Sequence, residues 1–220
     1  MEPSCTVFDI DDTLYLEHDY VMSGLQAVDR LVRARCLKEG FFALARADFL
    51  AGSRGDLFDR ALGSLGVVAS RDLIAELVDC YRRHRPAIVL LPDAREALLA
   101  AALAGQVAII TDGPVLSQQA KVAALSLTTW ADPVVLTGQQ FPDRPKPDPA
   151  AFLHVQRLLG VQGQRCTYVA DNPLKDFSGP TSLGWRTVRV RRAGGLHALL
   201  DSGADVDLEV ETLRELAVVL

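Results

Sequence analysis

Apolar positions along this chain change their rhythm twice. Thr6 to Phe8 is a short apolar stretch, β-branched in part, that ends on Asp9, and it predicts a buried strand. From Tyr20 the spacing becomes helical: Val21, Leu25, Val28 and Val32 share one face, as do Leu73, Leu77 and Tyr81 further on. Between these runs FFALARADFL and DLFDRALGSLG also favour helix, with Gly66 as a stop. Residues 15–91 therefore hold several helices and no convincing strand.

After Pro92 strand and helix alternate. Asp93 is placed to cap a helix, with Glu96 in the capping-box position, and Gly105 is placed to close it. Gln106 to Ile110 reads as a strand running into TDGP. Pro114 suits the first turn of a helix whose apolar residues lie between Val115 and Leu125. Pro133 to Leu136 is a brief strand. Asp148 and Pro149 open a helix with Phe152, Val155 and Leu159 on one face and Gly160 behind it. Cys166 to Ala170 is the next strand, followed by DNPLKDF, and Trp185 to Val190 the last clear one. Asp207 to Leu220 reads as a short extended piece and a helix. The fold class is α/β: a doubly wound, mainly parallel sheet over residues 1–14 and 92–220, with an α-helical cap at 15–91 inserted after its first strand.

Composition narrows the setting. Hydrophobic residues make up 49% and charged residues 23%, which fits a soluble protein with a substantial core. A net charge of −5 gives no general affinity for nucleic acid. The four cysteines, Cys5, Cys36, Cys80 and Cys166, lie far apart without a CxxC pair, so reduced and mostly buried thiols are expected rather than a disulfide frame or zinc site. The N-terminus lacks a signal-peptide pattern, and no apolar run approaches the roughly 20 residues of a membrane span. A cytoplasmic location is expected.

A parallel sheet binds ligands beyond the carboxyl ends of its strands. Asp9 with Asp11, Thr111 with Asp112, Lys146, and Asp171 with Asp176 all fall at such ends. Neighbouring strands lie about 4.8 Å apart, so carboxylates from adjacent ends are close enough to share one ion. Asp9, Asp11 and Asp171 supply hard oxygen donors that suit magnesium, whereas the absence of Cys and His from these loops argues against zinc. The Thr111 hydroxyl and the backbone N–H groups from Asp112 onward suit a phosphate, and Lys146 suits the charge on its oxygens. Asp9 is then a candidate nucleophile forming an aspartyl-phosphate, and Asp11 a candidate for protonating the leaving oxygen and deprotonating the attacking water.

The segments FDIDDTL, ITDG, RPKPDP and VADNPLKD resemble, in order, the four motifs of the haloacid dehalogenase superfamily. The match runs from Val7 to Asp176, and GWRTVRV resembles the strand that follows. The insertion is similar to the helical cap of the subclass with its cap between the first two motifs. This resemblance implies a Rossmann-like core, Asp9 as nucleophile, Asp11 as general acid and base, and Thr111 and Lys146 on the phosphate. It implies magnesium on the Asp9 carboxylate, the Asp11 carbonyl and Asp171, with Asp176 orienting Lys146 or a metal-bound water. Two departures stand out: Ala170 replaces a common glycine, and Asn172-Pro173 follows the metal-binding aspartate. The expected activity is magnesium-dependent hydrolysis of a small phosphorylated metabolite. A phosphomutase and a receiver-like phosphoaspartate signalling module are the alternatives, and a metal-independent dehalogenase is disfavoured by the presence of Asp11.

Other polar residues read as structural. Asp12 shapes the turn, Thr13 fixes the same loop through its hydroxyl, and Asp148 caps its helix. His84 sits at a helix C-terminus, His154 and His197 on the surface, and the run Arg189 to Arg192 at a strand-end surface. Glu17 and His18, close behind the first motif, are weighed as cleft residues and not adopted, and Arg46 and Arg54 in the insertion are weighed likewise and read as a solvated helix face.

Overall fold

The computed structural model describes residues 4–218 of the chain. They form two compact units, one running to His18 and resuming at Ile88, the other spanning Asp19–Ala87.

The first unit is built on six parallel strands: β1 (Cys5–Phe8), β2 (Gln106–Thr111), β3 (Val134–Leu136), β4 (Cys166–Ala170), β5 (Arg186–Val190) and β6 (Leu208–Val210). Their order across the sheet is β3-β2-β1-β4-β5-β6. β1 therefore lies at the centre, with Phe8 in register with Ile109 on one side and Val169 on the other. The chain reverses direction across the sheet at β1, which is the switch point where doubly wound folds place their ligands. Successive residues Val7 and Phe8, Ile109 and Ile110, and Tyr168 and Val169 are all fully buried, so both faces of the central strands are covered.

On one face Val7, Ala108, Ile110 and Tyr168 pack with Ala151, Phe152 and Val155 of a helix at Ala150–Leu159. The Phe152 ring meets Tyr168 and Trp185 edge-on at 4.9 and 5.6 Å, contacts that contribute about 0.5–1.5 kcal/mol each beyond the area they bury. Pro149 rather than the expected Asp148 is the cap residue of that helix; the Asp148 carboxylate, one residue earlier, accepts from the Ala150 N–H at 2.8 Å, and Gly160 closes the helix in the left-handed region.

The helix at Pro92–Ala104 differs from its expected cap. Pro92 occupies its first turn and Leu91 precedes it, so Asp93 is not the cap. The Asp93 carboxylate is instead buried and accepts from Arg192 Nη1 at 2.8 Å, Thr212 Oγ1 at 2.9 Å and the Leu213 N–H at 2.9 Å. Glu96 pairs with Arg214 rather than closing a capping box. A buried guanidinium requires a carboxylate more than a helix end does. The tail continues as β6 and a 3₁₀ turn at Leu213–Val218; Val219 and Leu220 lie outside the described residues.

Four helices make up most of the inserted segment: α1 (Glu17–Cys36, which enters from the first unit), α2 (Phe41–Leu50), α3 (Leu57–Ser64) and α4 (Arg71–Arg83). The predicted face of α1 (Val21, Leu25, Val28, Val32) is buried with Phe41, Phe49, Leu62 and Leu77. Asp29 lies on the same helix, and its carboxylate accepts from the Phe42 N–H at 3.0 Å, capping α2 where Gly40 has no side chain to do so. Arg54 donates to the Phe49 and Ser53 carbonyls and covers the Phe49 ring, while Arg46 is exposed. His84 ends α4 as expected, its Nδ1 2.6 Å from the Tyr81 carbonyl.

All four cysteines are free; Cys5 and Cys166 are buried and Cys36 and Cys80 half-buried. Among the described residues no helix is long and apolar enough to cross a membrane.

Candidate active site

β1 ends at Phe8, but the sheet hydrogen bonding runs one residue further, with the Asp9 N–H donating to the Val169 carbonyl at 2.9 Å. This fixes Asp9 at the sheet edge, where it is buried. Its carboxylate meets Lys146 Nζ at 2.8 Å. The same ammonium lies 2.6 Å from Asp176 and donates to the Tyr168 hydroxyl at 3.0 Å, and neither the Lys146 nor the Asp176 side chain is exposed. Asp176 is the partner of Lys146, and its other oxygen accepts from the Asn172 N–H at 3.0 Å.

The Lys146 loop is held by close packing and one carboxylate. A Cβ on Gly179 would sit 2.3 Å from the Pro147 carbonyl, so only glycine permits this approach. Asp112 turns its carboxylate to the Lys146 N–H at 3.1 Å and to the Thr137 hydroxyl. Its side chain is thereby committed to the loop, which leaves the backbone of Asp112 as the part available to an anion.

Oxygens of Asp9, Asp171 and Asp176 all lie within 4.8 Å of one another. Three carboxylates facing one ammonium leave excess negative charge, and every donor is a hard oxygen, so the residues fit a divalent cation such as magnesium. Burial pushes the Asp9 carboxyl up to about 7 against the pull of Lys146, with Asp176 adding to the rise. Burial likewise lifts Asp171 to about 6, although a hydrogen bond from His197 opposes it. For Lys146, burial alone would lower its pKa, but Asp176 and Asp9 hold it well above the ordinary lysine value.

Asp11 is surrounded differently. Both of its oxygens lie 2.7 Å from Lys121 Nζ, a side chain only 4% exposed, and it also accepts from the Tyr15 hydroxyl and from Gln118 Nε2 at 3.2 Å. Burial would raise the Asp11 carboxyl, but Lys121, by charge and by hydrogen bond, with Tyr15 and Gln118, holds it below the usual range. Lys121 and Gln118 lie on the helix Val115–Ala124, whose buried residues are Ser117, Gln118 and Lys121. The expected apolar face of that helix is thus a correction: it turns polar side chains inward, because Asp11 needs partners.

Gln118 also joins Asp11 to the second motif. The Thr111 hydroxyl donates to Gln118 Oε1 at 3.1 Å, and Gln118 Nε2 donates to the Asp112 carbonyl at 2.9 Å. A Cβ on Gly113, where φ is +136°, would lie 2.7 Å from that nitrogen, so the glycine is required by both conformation and space. Thr111 therefore stands at its strand end with its proton already committed to Gln118.

The turn behind Asp9 is organised by Asp12, in the left-handed region at φ 49°, whose carboxylate accepts from the Glu17 N–H at 2.8 Å and the Leu196 N–H at 2.7 Å. Thr13 departs from its expected role: the hydroxyl has no hydrogen-bond partner among the described residues, and the carbonyl accepts from Arg192 Nε at 2.9 Å instead. Burial, with Asp11 next, pushes the Glu17 carboxyl up to about 7.

Two surface expectations are corrected here. Arg189 and Arg192 are buried, at 0% and 7% exposure, because their guanidinium groups satisfy carbonyls and carboxylates of the loops around the strand ends. His197 is half-buried and places Nδ1 3.0 Å from Asp171. Sequence reasoning misses Tyr15, Gln118, Lys121 and His197 as site residues. Tyr15 looks like one more core aromatic, and the Gln118–Lys121 pair (i, i+3) resembles a solvated helix face. His197 reaches the site only through a loop after β5, and nothing in its sequence surroundings marks it.

Comparison with known proteins identifies the family. A family model for haloacid dehalogenase-like hydrolases matches residues 4–180. The chain belongs to that family. It is 28% identical to a glyceraldehyde 3-phosphate phosphatase of Methanopyrus kandleri over 220 aligned residues, covering 96% of this chain and 94% of that one. The 2-haloacid dehalogenase of Pseudomonas syringae pv. Tomato superposes with a TM-score of 0.67 at 20% identity, over 99% and 97% of the two chains. CbbY of Rhodobacter sphaeroides, solved in complex with phosphate, superposes at 0.64 with 17% identity, over 97% and 96%. At those identities the two structures speak to the fold alone.

Proposed function

We propose that this hydrolase is a magnesium-dependent phosphatase for a small phosphorylated metabolite, working through an aspartyl-phosphate on Asp9. The observation that carries this reading is the buried Asp9 carboxylate, 2.8 Å from Lys146 within a group of three carboxylates. The full-length similarity to a glyceraldehyde 3-phosphate phosphatase supports it and makes triose phosphates the first substrates to try. The free cysteines fit a reducing compartment, the cytoplasm.

Magnesium held by Asp9, the Asp11 carbonyl and Asp171 would supply positive charge that keeps Asp9 ionised and screens the phosphate dianion. The chain's own residues do the rest. Lys146 holds Asp9 and receives charge from the phosphoryl oxygens, while Asp176 keeps the ammonium in place. Thr111 turns its hydroxyl from Gln118 to a phosphate oxygen, and the N–H groups after Asp112 complete the anion cradle. The incoming phosphate raises the proton affinity of Asp11, which moves the proton at the leaving oxygen and later at the attacking water. Residues 15–91 act as the cap that reads the leaving group.

Release of inorganic phosphate from glyceraldehyde 3-phosphate and a generic aryl phosphate, with and without magnesium, tests this reading. Asp9→Asn is expected to keep the fold and lose turnover by on the order of 10⁴ or more. Undiminished turnover in that variant would remove Asp9 as nucleophile, and an isomer in place of free phosphate would identify a mutase.

A further inference from the structure

His197, from outside the four motif segments, and Asn172, from within the fourth, form a relay onto Asp171. The Asn172 amide is oriented by the Leu174 N–H, which donates to its Oδ1 at 3.0 Å. Its Nδ2 donor group therefore faces His197 Nε2, 3.2 Å away. With Nε2 accepting, the ring proton is assigned to Nδ1, 3.0 Å from Asp171 Oδ2. Each member of the relay fixes the next, and the last bond lands on the carboxylate.

The backbones at both ends are tied by one buried side chain. Arg189 Nε donates to the Asp171 carbonyl at 3.0 Å, and its Nη2 donates to the His197 carbonyl at 2.8 Å. Nη1 of the same guanidinium donates to the Leu200 carbonyl at 2.8 Å and to Ser202 Oγ at 2.7 Å, which anchors the rest of the loop. From the other side, Asp12 accepts the Leu196 N–H. The loop is thus docked at residues on either side of His197, so the imidazole is delivered to Asp171 with little freedom.

We propose that His197 is a positioning residue for the Asp171 carboxylate, holding one oxygen so that the other is aimed at a divalent cation shared with Asp9. This rests on the reading of Asp171 as a magnesium ligand. Outer hydrogen bonds of this kind fix the direction of a ligand, and their loss lowers metal affinity by about 10- to 100-fold. Asn172, a departure from the usual motif, becomes functional on this account because it selects the imidazole tautomer.

The test is binding of Mn²⁺, as a paramagnetic probe, and of Mg²⁺ by titration calorimetry, on the full chain. His197→Ala is expected to weaken both by about 10- to 100-fold, with an unchanged circular dichroism spectrum. His197→Asn, whose amide N–H lies near the lost Nδ1–H, is expected to recover most of the affinity, which a purely structural role would not produce. Parent-like binding in His197→Ala together with lost binding in Asp171→Asn would overturn the positioning role alone. Parent-like binding in Asp171→Asn would overturn the metal assignment and this inference with it.

Discussion

Two aspartates, separated only by Ile10, each meet a lysine at almost the same distance, yet their carboxyl groups shift in opposite directions. Asp9 lies 2.8 Å from Lys146 and is pushed up to about 7; Asp11 lies 2.7 Å from Lys121 and is held below the ordinary range. Burial raises both carboxyls, and Asp9, 5% exposed against 19% for Asp11, is the more deeply buried; competition for the lysine adds to the difference. Lys146 is shared with Asp176, and Asp171 stands nearby, so Asp9 receives only part of that charge and a weaker pull from Lys175. Asp11 has Lys121 on both oxygens and two more donors, Tyr15 and Gln118. Distance to the nearest cation therefore does not by itself fix a buried carboxylate's behaviour; burial set against all the charges and hydrogen bonds around it does. The side short of positive charge is where a divalent cation fits, and the side already neutralised is where the proposed function puts proton transfer.

Removing one lysine at a time breaks the comparison most sharply. Lys146→Met leaves Asp9 and Asp176 buried without a counter-charge and is expected to destabilise the fold by about 3–5 kcal/mol, as well as abolish turnover. Urea unfolding at neutral pH measures this, and a loss below 1 kcal/mol would mean that the pair is not held as described. Lys121→Met should cost less, about 1–3 kcal/mol, because Asp11 is 19% exposed and keeps Tyr15 and Gln118. Its turnover is expected to fall by about tenfold, short of the 10²–10⁴ for loss of a general acid–base group, with the acid–base limb of the pH profile moved upward. A limb that stays in place would separate Lys121 from proton transfer.

A smaller effect sharpens the contrast through pH. In the metal-free chain Asp9, near 7, and Asp171, near 6, bind protons that the unfolded chain releases around 3.8. Their folded values are raised, so their contribution to stability is complete below that lower value and is lost as pH rises through 6 to 7. Asp11 and Asp93 are lowered and act in the opposite sense. Magnesium binds the ionised carboxylates, so its rise in Tm should be larger at pH 8 than at pH 5.5. Melting curves at the two values decide this, and equal shifts would argue against a cation on Asp9 and Asp171.

Much of the candidate site is legible in the amino-acid order. Three polar motifs at predicted strand ends converge because β1 is central and β2 and β4 are its neighbours, whereas Lys146, also expected at a strand end, lies in a loop beyond the short helix Thr137–Gln140 that follows β3. The helical texture of residues 15–91 is equally plain, since an apolar face at helical spacing leaves a mark on the sequence. Periodicity fails where a helix or loop buries polar groups. The Val115–Ala124 helix turns Gln118 and Lys121 inward, and Arg189 and Arg192 vanish into the core of the loops. A pattern of apolar residues cannot report a buried face that is polar. Asp93 misleads for a related reason, being placed like a helix cap while serving a guanidinium that arrives 99 positions later.

Which groups gather at the candidate site follows largely from the order of residues: Asp9, Thr111 and Asp171 lie where strands end, because short apolar runs mark the strands and parallel topology brings their ends together. How those groups are charged and aimed is settled in three dimensions. Protonation and direction depend on partners brought from Tyr15, Lys121 and His197, and such pairings are set by distance in space, which hydrophobic rhythm along the chain does not encode.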